Sequence, residues 1–260
     1  MRVAKRVALG LAVLASLSPP PSLLAQRAAV AREAAVPFMV GETLTYDVSW
    51  SSVLVAGTAT AQVVEKKASP PGAAYAIVVD GRPVPLVARL YNLYYKMDTL
   101  VDSFTLLSRG GSLYSEEGAE KSTVTTRFDR TARRAFFERR SATLEKADIS
   151  IPADAQDGLA VLYALRGRTF KAGDRFTTPV ADSGSMYTVQ VDVAAPGPVR
   201  VPVGEFTAWN LKGAISDAQG QPVWKDIVVW ISNDARRLPV KLQAELPVGT
   251  FVLALKEVRN

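Results

Sequence analysis

Thr43-Leu44-Thr45-Tyr46-Asp47-Val48-Ser49-Trp50 alternates polar and apolar side chains without a break. In an extended chain successive side chains point to opposite faces, so Leu44, Tyr46, Val48 and Trp50 share one face. Thr43, Thr45, Asp47 and Ser49 share the other. A helix would scatter the four apolar residues around its circumference, whereas a strand buries them against one core. The stretch predicts a half-buried strand, and the same period of two recurs through most of the chain.

Gly57–Glu65 alternates small and β-branched residues, Lys66–Gly72 is a turn cluster, and Tyr75–Val79 resumes a strand. Leu86–Met97 reads as a short helix or irregular segment, followed by a strand over Lys96–Asp102. Gly110-Gly111 reads as a turn. Val124–Phe128 and Ala135–Arg139 flank Asp129–Arg134 as a hairpin with a polar turn. In the last third, short strands are separated by turn signals at Asp182-Ser183-Gly184, Ala195-Pro196-Gly197, Pro202-Val203-Gly204, Asp217–Gly220 and Ser232-Asn233-Asp234. Short strands at such spacing predict a mainly β domain, with antiparallel strands forming an open barrel or a curved sandwich.

One segment, about 154–166, has helical spacing. Asp154 is the expected N-cap, and Asp157 adds negative charge where the helix dipole favours it. Leu159, Leu162 and Leu165 form an apolar stripe, and Gly167 supplies the stop. A lone amphipathic helix among strands must pack on the sheet or inside it.

The 260 residues contain neither cysteine nor histidine. Disulfides, thiolate chemistry, cysteine-ligated metals and a cysteine-linked lipid anchor are thereby excluded. So are histidine triads and histidine-ligated metals. No catalytic residues, metal ligands or cofactor are assigned, and the composition leans away from an enzyme. Arg2, Lys5 and Arg6 precede an apolar run from Val7 to Leu17, a proline cluster at 19–21 and Leu23-Leu24-Ala25. This is the layout of a secretory signal peptide over residues 1–25. Residues 26–37 read as a flexible lead-in and 38–260 as one domain. No later apolar run is long enough for a membrane span. With the signal removed, 28 basic residues (31 less the three named) face 25 acidic ones, a net charge of +3 in place of +6. That balance argues against nucleic acid as a partner.

Phe38-x-x-Gly41-Glu42-x-Leu44-x-Tyr46, the helix sequence from Asp157 to Tyr163-x-x-Arg166, Lys171-Ala172-Gly173-Asp174, Val203-Gly204-Glu205-Phe206 and Trp230-x-Ser232-x-Asp234-x-x-Arg237-x-Pro239 occur in this order. Together they resemble the DUF3108 family of exported bacterial proteins, over nearly all of 38–258. The resemblance implies a mainly β architecture and a periplasmic or secreted location in a Gram-negative type of envelope. The family is one of unknown function, so it brings no catalytic residues.

Tyr163 and Arg166 fall on one helix face. Either they form a polar pair at the lip of a cavity, or they are structural, with Arg166 capping its own helix or paired to a carboxylate such as Asp174 or Asp129 and Tyr163 filling the core. With Leu159 and Leu162 they make the candidate ligand-binding set. The leading functional expectation is non-catalytic binding of a lipid or other hydrophobic ligand in a β cavity. A second is an interaction or scaffold module for an envelope protein or glycan, using a strand edge or the arginines 127, 130, 133, 134, 139 and 140. A third is a hydrolase acting on polysaccharide through two facing carboxylates, with Asp98, Asp102, Asp148, Asp154 and Asp157 as the acids in view.

Overall fold

The computed structural model describes residues 32–50, 54–70, 72–246 and 249–260. The signal sequence expected over 1–25 lies outside the described residues. The alternation at Thr43–Trp50 does form a strand, β1, with Leu44 and Tyr46 buried. It is followed by β2 (Leu54–Ser69), β3 (Gly72–Pro83), α1 (Pro85–Leu90), β4 (Leu93–Asp102), β5 (Ser108–Glu117), β6 (Glu120–Asp129), β7 (Arg134–Arg140) and β8 (Leu144–Ser150). Helix α2 (Gly158–Arg166) interrupts the strands, and β9 (Arg175–Asp182), β10 (Ser185–Val201), β11 (Gly204–Asp217), β12 (Pro222–Ser232), β13 (Pro239–Leu246) and β14 (Gly249–Arg259) complete the chain.

All fourteen described strands belong to one antiparallel sheet, in the order β8-β7-β6-β5-β4-β3-β2-β1-β14-β13-β12-β11-β10-β9. Each strand pairs with its sequence neighbour, and the first strand pairs with the last, Leu44 opposite Val258 and Trp50 opposite Phe251. The two halves of the chain are thus two meanders joined along β1 and β14. The sheet does not close by pairing β8 with β9. Gln156 instead runs beside β9, donating from its N–H to Pro179 O (2.9 Å) and accepting from Ala181 N (2.9 Å). This covers part of an edge that would otherwise offer unpaired backbone groups.

Because the strands are antiparallel neighbours, every turn lies at one of two poles. Residues 38–42, 151–157, 167–174 and 233–238 gather at one pole. The other holds Trp50, α1, and the turns 118–119, 183–184 and 218–221. Inward side chains pack into apolar clusters, one around Leu44, Tyr46, Leu238, Val240 and Leu255, another around Phe38, Ile77, Val101, Leu159 and Tyr163.

Several local expectations change. Gly110-Gly111 is no turn but lies within β5. A Cβ on Gly111 would sit 2.2 Å from Asp98 O, and one on Gly110 2.6 Å from Thr126 O. The glycines let neighbouring backbones approach, as mid-strand glycines commonly do. Ala195-Pro196-Gly197 is not a turn either. β10 runs through it with a register shift against β11 between Ala194 and Gly197, so a bulge absorbs the proline that cannot donate to the ladder. β2 extends through the expected turn at Lys66 as far as Ser69, and β4 begins at Leu93, three residues before the strand expected from Lys96.

The lead-in is not loose where it is described. Ala34 N donates to Ser103 O (2.8 Å), Glu33 accepts from Ser103 Oγ (2.9 Å), and Val36 packs on the Phe38 cluster.

Candidate functional site

Helix α2 starts at Gly158, four residues after the expected N-cap. Asp157 caps it, its carboxylate accepting from Ala160 N at 2.8 Å. Residues 154–157 cannot join the helix because Gln156 spends its backbone groups on β9 and its side chain on Ser108 N (2.9 Å) and Leu106 O (3.2 Å). The Asp157 carboxylate also accepts from Thr99 Oγ1 (2.6 Å) and from Ser108 Oγ. Burial raises its pKa against the opposing pull of these hydrogen bonds.

Two faces of α2 do different things. Leu159, Tyr163 and Arg166, at i, i+4 and i+7, face the first pole. Gly158, Val161, Leu162 and Leu165 line a cavity.

At the pole, Arg166 is fully buried and its guanidinium meets the Glu42 carboxylate at two points, 2.6 and 2.8 Å. Its remaining donors reach Arg237 O (3.1 Å) and Arg236 O (3.2 Å). Burial alone would lower the Arg166 pKa, but Glu42 outweighs it and the net shift is upward. Glu42 is delivered by a tight turn in which Gly41 has φ +97°, a conformation that favours glycine. The accepting carbonyls are held by a second turn. There the Asp234 carboxylate accepts from Arg236 N (3.0 Å) and Arg237 N (3.1 Å), and Ser232 Oγ donates to it at 2.8 Å. Phe38 packs edge-on against Tyr163, centroids 5.1 Å apart, and Tyr46 donates to Pro239 O at 2.9 Å. Three sequence segments far apart in the chain, 38–46, 157–166 and 230–240, therefore meet as one plug.

Above this plug lies a cavity of about 550 Å³ between the second face of α2 and the inner wall of both half-sheets. Leu113 and Val124 come from one half, Val189, Leu211, Ile227 and Val229 from the other. The wall continues to Val223 and Trp224, whose side chains are 46% and 47% exposed at the opposite pole. Exposed apolar side chains gather on the same rim: Trp50, Val55, Leu86, Leu90, Tyr91 and Tyr95. A smaller, apolar cavity of about 110 Å³ lies on the side of α2 that faces the plug and is lined by Tyr46, Tyr163, Leu44 and Leu253 among others. Met97, Leu159, Leu162 and Leu242 line both cavities.

The structure thus divides the four candidate residues. Leu159 and Leu162 stand on the walls of both cavities, Tyr163 on the smaller one, and Arg166 in a buried ion pair away from any lip. The partner of Arg166 is Glu42, neither Asp174 nor Asp129. Asp174 instead accepts from Lys171 N (2.8 Å), and Asp129 accepts from Ala132 N (2.8 Å). Glu42 stands in the Gly41-Glu42 motif, but nothing in the sequence pairs it with Arg166, because 124 residues separate them and no spacing rule relates them.

Four of the acids in view are engaged by protein donors. Asp102 pairs with Arg109, Asp148 with Arg134 (2.7 Å), Asp98 accepts from Ser112, and Asp157 is described above. Five of the six hairpin arginines are similarly occupied. Arg134 pairs with Asp148, Arg140 with Glu138 (2.6 Å), and Arg139 lies 3.7 Å from Glu145. Arg127 and Arg130 lie over the rings of Phe136 and Phe128.

The model of a family described as a protein of unknown function, DUF3108, matches residues 45–256. No curated protein matches the chain. Among solved structures, a β-barrel-like protein of a domain of unknown function, DUF1849, from Brucella abortus is 10% identical, with a TM-score of 0.54 over 84% of this chain and 97% of that one. This likeness is one of fold. A Bacteroides fragilis protein described as exported, with a YmcC-like fold, aligns over 88% of this chain and all of its own at 10% identity, with a TM-score of 0.37. Among the described residues no helix is long and apolar enough to cross a membrane.

Proposed function

Since the chain belongs to the DUF3108 family, whose function is unknown, we propose from the cavity itself that the protein binds a lipid or other hydrophobic ligand without transforming it. In this reading residues 1–25 are a secretory signal and the folded domain works in the periplasm or beyond the cell.

The observation that carries the proposal is the 550 Å³ space between α2 and the inner wall, lined mainly by apolar side chains, with Asp98, Ser112, Thr126, Asp157 and Asp182 as polar members of the lining. Packed interiors leave few voids larger than a water molecule. A void of about 150 Å³ lined by apolar groups stays dry and holds benzene, so this one has room for on the order of 20 carbon atoms. Its size is that of a ligand pocket. The apolar side chains continuing from Val223 and Trp224 along the rim supply an entrance for an apolar molecule.

Native mass spectrometry of protein taken from the envelope should show a bound molecule of lipid-like mass that extraction with organic solvent removes. A single apo mass, together with no uptake of an uncharged fluorescent dye that brightens in apolar surroundings, would end the proposal. The scaffold reading draws less from the hairpin, whose arginines are mostly spent on neighbouring carboxylates and rings.

A further inference from the structure

The strand tips at the open pole change in kind along the order of the sheet. Among the described residues, those from β4 through β3, β2 and β1 to β14 and β12 carry exposed apolar side chains. Leu86, Leu90 and Tyr91 stand on α1 and just beyond it, between β3 and β4. Val55 follows at the start of β2. Trp50, at the end of β1, stacks on Phe251 of β14 with ring centroids 6.2 Å apart. Val223 and Trp224, at the start of β12, complete the arc. The remaining tips, Glu117–Glu120, Arg140–Thr143, Asp182–Ser185 and Asp217–Gln221, are polar, and Leu144 is the one exposed large apolar side chain described beside them. The other exposed large apolar side chains, Met39, Val40, Val64 and Val203, lie away from this pole.

Helix α1 has six residues, none of them buried, and no side chain caps its first turn. A helix so short is held by burying a face, and α1 buries none within its own chain. Leu86 and Leu90, four residues apart, share one side of it. Arg89 is exposed and has no carboxylate partner among the described residues.

Val223 and Trp224 belong both to this arc and to the lining of the large cavity, so one apolar surface runs from the interior to the rim. Tryptophan and tyrosine rings collect where hydrocarbon meets water. An arginine beside them lays its stem along hydrocarbon and holds its guanidinium at the level of the phosphates. A protein interface is an apolar patch ringed by polar groups. An apolar lip opposite a polar lip instead matches a flat boundary between hydrocarbon and water.

We propose that the protein docks on the surface of a phospholipid bilayer by this arc, with Leu86, Leu90, Tyr91, Trp50 and Trp224 among the headgroups and upper acyl chains and the polar tips in water. This rests on the reading of the large cavity as a lipid site. The end of the cavity beside Val223 and Trp224 then faces the membrane, and a lipid passes between the two without crossing water.

The test uses the protein purified from the envelope and vesicles of phosphatidylcholine, plain or brominated on the acyl chains. The protein should float with both kinds of vesicle, and bromine should quench its tryptophan emission. Combining Trp50→Phe with Trp224→Phe should keep the binding and abolish the quenching, because Trp209 and Trp230 lie towards the plugged pole, where Trp209 Nε1 donates to Asn233 Oδ1 at 2.8 Å. Combining Leu86→Ser with Leu90→Ser should weaken vesicle binding at least about tenfold, the worth of burying one leucine, and leave the thermal midpoint unchanged because both side chains are exposed. Wild type that does not float overturns the proposal, as does equal vesicle binding by the serine variant. Quenching that survives loss of Trp50 and Trp224 also overturns it, since the other pole would then be the one docked. Uptake of an uncharged dye without vesicle binding would leave the cavity reading standing and remove this one alone.

Discussion

The two poles of the barrel-like sheet are built by opposite means. At the plugged pole, most polar groups are buried and matched, the Tyr163 hydroxyl and Arg237 Nε apart: Arg166 with Glu42, Asp157 with Thr99 and Ser108, Asp234 with Ser232 and two backbone amides. At the rim, apolar groups are exposed: Leu90 at 81%, Leu86 at 65%, Trp50 at 50%. A domain that only needed to fold would favour neither arrangement. Buried ion pairs repay their desolvation poorly, and clustered exposed apolar side chains mark contact sites. The contrast teaches that structural specificity has been concentrated at one end, leaving the other end and the space between available to a ligand.

The contrast is broken most directly at the ion pair. Arg166→Met leaves the Glu42 carboxylate buried alone and should cost about 3–5 kcal/mol, measured as a fall in the urea midpoint. Adding Glu42→Leu should recover much of that loss, because no charge is then stranded. A single substitution costing under about 1 kcal/mol would show that the plug is not the better-held end.

Filling the cavity should separate binding from stability. Val189→Trp places a large ring in space that is already empty, so stability should move by less than about 1.5 kcal/mol. Dye and lipid binding should fall at least tenfold. A large destabilisation with binding intact would mean that the wall, not the void, occupies that volume.

Acidification should sharpen the picture within the plugged pole. Burial opposes ionisation of Asp102, but Arg109 and the amides of Phe104 and Thr105 outweigh it, and its pKa is lowered on folding. Its unfolded form binds more protons, so its contribution is present above the ordinary carboxylate pKa and is lost as pH falls through the lowered value. Asp157 runs the other way. Its pKa is raised, so its contribution is intact at low pH and declines as pH rises through the raised value. Urea midpoints between pH 3 and pH 7 should rise less steeply in Asp102→Asn than in wild type, and more steeply in Asp157→Asn. Matching slopes in all three proteins would refute both assignments.

The smallest effects belong to the rim. Leu90→Lys and Trp224→Ser alter exposed side chains and should change stability by no more than about 0.5 kcal/mol. They should slow dye uptake in stopped-flow measurements if the rim is the entrance. Unaltered uptake would move the entrance elsewhere.

Much of the architecture was legible because period two is a local property. The alternation at Thr43–Trp50, the polar turn at Asp129–Arg134 and the stripe in α2 each follow from a handful of adjacent residues. The failures were also local in appearance and non-local in cause. Gly110-Gly111 looks like a turn until the backbones of β4 and β6 are brought against it. Asp154 looks like an N-cap until β9 claims the backbone of Gln156. Of the candidate site, Leu159 and Leu162 could be picked out by their stripe. Nothing in the spacing of Arg166 pointed to Glu42 or to the carbonyls of Arg236 and Arg237.

The amino-acid sequence by itself determined that the domain is mainly antiparallel β with one amphipathic helix, that cysteine and histidine chemistry is absent, and that the chain resembles DUF3108. These follow from periodicity, composition and motif order, which need no partner across space. Tertiary structure alone decided that segments 38–46, 157–166 and 230–240 form one plug, and that α2 shows one face to it and the other to a void. The physical reason is that an inward-facing leucine or valine has the same pattern whether it meets another side chain or empty space. Only the path of the surrounding sheet distinguishes a filled core from a cavity.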